Sequence, residues 1–135
     1  MPSSLALGNR HIAITWFNGA AAYAIDRAIF TAPYSCTLQS ASFVSSVVGS
    51  DGGAVNLQLT KESGTTAPGA GTDLLANNTN AGFNLKGAIN TVQHASFKAG
   101  SSRKFVKGDR LSLDFAGTQT AVEGVLVTAI FNRTD

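Results

Sequence analysis

The sequence predicts an all-β domain: an antiparallel β-sandwich, jelly-roll-like, with a short N-terminal arm. Three observations carry that expectation. Apolar residues alternate with polar ones over short stretches, turn residues recur roughly every eight to twelve positions, and no long stretch has the periodicity of an amphipathic helix. A length of 135 residues makes one domain over positions 10–135, preceded by an arm at 1–9. A chain of this size buries roughly two-thirds of its unfolded surface on folding, so its core needs neither disulfide nor metal.

The arm, with Pro2 and Gly8, carries no periodic signal. Residues 10–17 alternate and place Ile12, Ile14 and Trp16 on one strand face, and Asn18-Gly19 is a turn signal. Positions 20–24 have some helix propensity, but the run through Tyr23, Ile25, Arg27 and Ile29 to Pro33 favours extended chain. Residues 37–48 form the next strand, with Ala41, Phe43, Ser45 and Val47 alternating, and the Asp-Gly-Gly at 51–53 turns the chain. The clearest period of two follows at 54–60, where Val55, Leu57 and Leu59 share a face. A loop rich in glycine and threonine occupies 64–72. It is uncharged and long for a compact domain, the kind of loop that binds or packs on something.

Shorter pieces come next: Leu74-Leu75, strands at 83–85 and 90–97, a break at 99–102 and a turn at 107–109. Two apolar runs close the chain. Residues 110–115 alternate, with Arg110, Ser112 and Asp114 directed to solvent. Residues 122–131 are almost continuously apolar, with a short polar connection between the two runs. The pair reads as a terminal hairpin. One face of the second run completes the core; its other apolar face needs cover from a second sheet or another subunit.

Charged residues make up 13% of the chain, against about 25% for an ordinary soluble domain. The surface is therefore built from small polar residues, as in proteins packed against neighbours. A net charge of +2 is too small to argue for nucleic acid. Lys98, Arg103, Lys104, Lys107 and Arg110 do lie close in sequence, with only Phe97 and Phe105 among them. That reads as a solvated face or a contact for an acidic partner, not a nucleic-acid site. Cys36, the single cysteine, cannot form an intramolecular bridge and is expected as a small buried residue. No apolar run reaches the length of a membrane span, and the first residues lack the basic and apolar regions of a signal peptide. The expectation is synthesis in the cytoplasm without membrane contact, so the glycosylation-type triplets at Asn77 and Asn132 carry no weight.

Catalysis requires tunable groups that meet in space. His11 and His94 stand on separate strands, neither with a carboxylate or cysteine at ligand spacing, and two histidines do not complete a zinc site. Asp26, Asp51, Asp73, Asp109, Asp114 and Glu123 are scattered, and nothing pairs any two of them as a glycosidase would need. No nucleophile elbow is present, and the glycine-rich loop lacks the lysine ending of a phosphate cradle. The expectation is no enzyme, no cofactor, no metal and no catalytic residue. Trp16, Phe17 and Tyr23 are read as core, with an aromatic patch for carbohydrate as the alternative.

Several strings taken together are familiar. GTTAPGAGTDLL at 64–75, FNLKG at 83–87 with NTV at 90–92, and GDRLSLDF at 108–115 with VLVT at 125–128 resemble small virion proteins of tailed bacteriophages, of the type that decorates or cements the capsid. The resemblance covers about half the chain, between Ala54 and Thr128. It implies a β-sandwich, a homotrimer, attachment to the major capsid protein on the capsid exterior after assembly in the host cytoplasm, and no catalysis. A tail- or fibre-associated module that recognises a host glycan or another virion protein is the alternative.

Overall fold

The computed structural model describes residues 11–19, 25–100 and 102–134. The expected arm at 1–9, the segment 20–24 and Tyr23 within it lie outside the described residues. Among the described residues ten strands form: β1 (His11–Asn18), β2 (Arg27–Thr31), β3 (Cys36–Val44), β4 (Asn56–Glu62), β5 (Thr72–Asp73), β6 (Phe83–Asn84), β7 (Gln93–His94), β8 (Lys104–Phe105), β9 (Arg110–Ala116) and β10 (Val125–Arg133). The first sheet runs β1-β10-β3, with β7 and β8 both on the far edge of β3. The second runs β2-β9-β4, with β5 and β6 on the far edge of β4, and every pairing is antiparallel. The predicted all-β sandwich is the observed architecture.

Alternation decides what each strand buries. Val125, Val127, Ala129 and Phe131 of β10 point inward with Leu38, Ala41 and Phe43 of β3, and Leu57, Leu59, Leu111 and Leu113 of the second sheet meet them. Aromatic rings fasten the layers. Phe131 stacks on Phe30 at 4.4 Å and meets Phe105 edge-on at 5.1 Å, while Phe43 stacks on Phe83 at 5.7 Å. Cys36 is buried and forms no disulfide, as its type suggested.

The expected terminal hairpin does not form. β9 pairs with β2 and β4 in the second sheet, whereas β10 lies between β1 and β3 in the first. A hairpin needs a turn of about two to five residues, and the connection here is longer and crosses between layers. It is anchored in the interior by Gln119 and Val122, both buried, and by the bridge of Val47 to Glu123.

β4 departs from its expected half-burial. Asn56, Gln58, Thr60 and Glu62 are buried along with Leu57 and Leu59, so both of its faces are covered. β9 is similar. Ser112 is buried, Asp114 is half-buried, and Arg110 reaches back to the carbonyls of Gly64 and Thr66 at 3.0 and 2.8 Å, so none of the three simply faces solvent. The cover comes from the chain that follows β4.

Candidate functional site

Residues 63–82 fold back over the polar face of β4, and that strand's side chains replace the hydrogen bonds of a further strand. The Gln58 amide donates to the carbonyls of Leu75 and Asn80, each at 3.0 Å, and accepts from the N–H groups of Leu59 and Leu75 at 3.0 and 2.8 Å. Asn56 accepts from the Asn78 amide at 2.6 Å. Glu62, 1% exposed, accepts from the Gly69 and Gly71 N–H groups, each at 3.2 Å, and from the Thr60 hydroxyl. Close approach explains Gly82 (φ +107): a Cβ there would overlap the Leu57 carbonyl. The loop at 64–72 thus packs on its own subunit, over β4 and against Arg110 of β9. Glu62 and Gln58 were missed in the sequence. The available signal was a glycine-rich segment directly after a strand with polar alternate positions.

The same fold-back gathers carboxylates that the sequence scattered. Asp26 accepts from the Phe115 N–H at 2.8 Å, and a Cβ at Gly69 would lie 2.7 Å from Asp26 and 3.4 Å from Asp114. Burial first, then the charges of Asp26, Asp73 and Glu62, push the Asp114 carboxyl up from 3.8 to about 6. The folded protein then binds a proton that the unfolded chain has released, so stability falls as pH rises through that interval. Asp114→Asn is expected to flatten this slope and to stabilise the protein near neutral pH by roughly 1 kcal/mol, after discounting for solvent screening. Thermal melts at about pH 4.5 and about pH 7.5 check it; an unchanged pH slope in the variant would show that Asp114 is not the group responsible. Among the described residues no three His, Cys, Asp or Glu side chains are placed to hold a metal ion. His11 and His94 are exposed on β1 and β7, with β10 and β3 between them.

The basic cluster is largely consumed internally. Lys98 pairs with Asp73 at 3.4 Å, Arg103 donates to the Leu38 carbonyl at 3.2 Å and lies 4.5 Å over the Phe97 ring, and Arg110 holds the loop as described. Lys104 and Lys107 remain exposed. Trp16 is half-buried, with Phe115 at 6.4 Å and the Arg27 guanidinium 5.8 Å over its ring.

Among the described residues, nothing covers the outer face of the first sheet where β1, β10 and β3 run side by side. Strand register aligns Phe17, Leu126 and Val44 in one row, Thr15, Thr128 and Ser42 in the next, and Ala13, Ile130 and Ser40 in a third. Phe17 is 64% exposed and Ile130 36%; no Asp, Glu, Lys or Arg stands among these nine residues, and His94 extends the middle row beyond Ser42. β10, although central, therefore presents apolar atoms on the side away from its own core.

No known protein family matches the chain, and no curated protein matches its sequence. Among solved structures, one chain of the cyanophage Pam1 capsid asymmetric unit is similar, with a TM-score of 0.51 at 8% identity. The match covers 94% of this chain and 89% of that one. At this identity the likeness is one of fold, extending over nearly the whole of both chains.

Proposed function

We propose that the chain is a non-enzymatic structural protein of a bacteriophage virion, one that decorates and stabilises the capsid exterior as a homotrimer bound to the major capsid protein. The observation that carries this reading is the partly apolar outer face of the first sheet, without Asp, Glu, Lys or Arg in its three central rows and centred on Leu126 and Ile130. A subunit that worked alone gains nothing from leaving such a face in water, since each buried square ångström of apolar surface is worth about 25 cal/mol. The fold likeness to a chain of a phage capsid agrees with it. The nested pairing of early with late strands, β1 with β10 and β2 with β9, supports the jelly-roll form of sandwich. A ring of three needs two different patches per subunit, and this face supplies one of them.

Light scattering after size exclusion should return three times 13.9 kDa, and the protein should co-sediment with purified capsids that lack it. Ile130→Glu places a charge in the middle of the face. It should yield a folded monomer and weaken capsid binding by about tenfold or more. A monomeric wild type that ignores capsids, or a variant indistinguishable from wild type in both measurements, would sink the proposal. The glycan-binding alternative is less supported: the Trp16 ring is taken up by Phe115 and Arg27, and Phe17, expected in the core but 64% exposed, is left as a single ring among the described residues of that patch.

A further inference from the structure

We infer that the pocket beside β8 docks an acidic, extended protein segment that inserts one aliphatic side chain. The site lies at the end of the same sheet, where Lys104 pairs with Thr37 beyond the Ile130 row, and none of its lining residues stands in the three rows on which the virion reading rests.

The pocket is a cavity of about 260 Å³ lined by Ser35, Lys104, Phe105, Val106 and Thr134. Three segments build it. β8 pairs with β3 at the sheet margin through Cys36 with Phe105 and Thr37 with Lys104. The Thr134 N–H donates to the Ser35 carbonyl at 3.0 Å and closes the end of β10 against the chain entering β3. Phe105, packed edge-on against Phe131, gives a rigid apolar floor, while Val106 stands 60% exposed at the rim.

Charge selects the occupant. Lys104 and Lys107 are exposed on either side of Val106, and the exposed Arg133 lies with its guanidinium 4.1 Å over the Tyr34 ring. Lys61 approaches from below, donating to the Lys104 carbonyl at 2.9 Å. Among the described residues the one carboxylate of these segments, Asp109, is buried and accepts from the Val106 N–H at 3.0 Å. The rim is therefore cationic around an apolar hollow, and an acidic segment is its electrostatic complement. The hollow is smaller than the roughly 300–1,000 Å³ of a cofactor or drug-sized site and suits one side chain. Nucleic acid fits less well, because among the described residues the aromatic ring beside the rim, Tyr34, is half-buried with Arg133 over its face and so not open to stack a base.

The test uses the full chain and a fluorescein-labelled acetyl-Asp-Glu-Leu-Glu-Asp-amide peptide, read by anisotropy at about 20 mM salt. Saturable binding is expected, weakened about tenfold by Lys104→Glu combined with Lys107→Glu. Replacing the peptide leucine by serine, or Val106→Asp in the protein, should weaken it about fivefold or more. Unchanged melting temperatures of the variants show that folding is intact. No saturation up to about 1 mM overturns the inference, as does equal binding of the serine peptide or tighter binding of a single-stranded oligonucleotide. The two lysine substitutions leave the rows of Phe17, Thr15 and Ala13 unchanged. A failed peptide titration alongside normal trimers and capsid co-sedimentation therefore defeats this inference alone.

Discussion

Phe131→Ala is expected to cost about 4 kcal/mol and to lower the melting temperature by roughly 12–20 °C. Phe131 belongs to β10 of the first sheet, yet its ring stacks on Phe30 of β2 at 4.4 Å and takes the Phe105 edge at 5.1 Å. Removing it opens a cavity between layers whose other walls are held in two separate hydrogen-bonded sheets, so collapse is limited and the cavity contribution persists. Domains of this kind have about 5–15 kcal/mol in all, so the loss is a large share of the total. Phe131→Leu, which keeps most of the volume, should cost about 1–1.5 kcal/mol. Urea titration with an unchanged m-value checks both. A cost under about 2 kcal/mol for the alanine variant would mean the layers repack freely there.

Gln58→Leu is expected to cost about 3 kcal/mol although it places an apolar side chain of similar size in a buried position. Four backbone groups depend on the Gln58 amide: the carbonyls of Leu75 and Asn80 and the N–H groups of Leu59 and Leu75. Deleting one partner of a buried hydrogen bond leaves the other unsatisfied, at about 1–3 kcal/mol each where no water reaches it. Because the loss falls on the fold-back segment, its signature is local as well as global. Hydrogen exchange at Leu75 should accelerate more than exchange at Leu113, in the β9 core. Equal acceleration at both sites would show that the segment and the β4–β9 sheet unfold as one unit.

How legible was this in the chain? Period-two alternation is a local property, and it placed the inward faces of β1, β3, β4 and β9 from neighbouring residues alone. The double apolar character of 122–131 also carried its meaning forward: one side is core, the other is open to solvent in the subunit. The candidate sites were less legible. The basic residues near 98–110 formed a cluster only on paper, since Lys98, Arg103 and Arg110 find partners from Asp73, Leu38 and Gly64. The carboxylates Asp26, Asp73 and Asp114 were scattered on paper and adjacent in space, and Glu62, which completes the group, went unweighed.

The sequence by itself determined the fold class, the strand faces and the burial of Cys36, because each follows from side-chain chemistry within a few residues. Tertiary structure alone decided that β9 and β10 part into different sheets, and that the polar side of β4 is interior. Antiparallel pairing joins segments far apart in the chain, and a polar strand face is solvated or buried according to whether a distant loop returns to satisfy it. Gln58 and Glu62 are hydrophilic by type. They are buried because residues 63–82 bring the hydrogen-bonding groups they need.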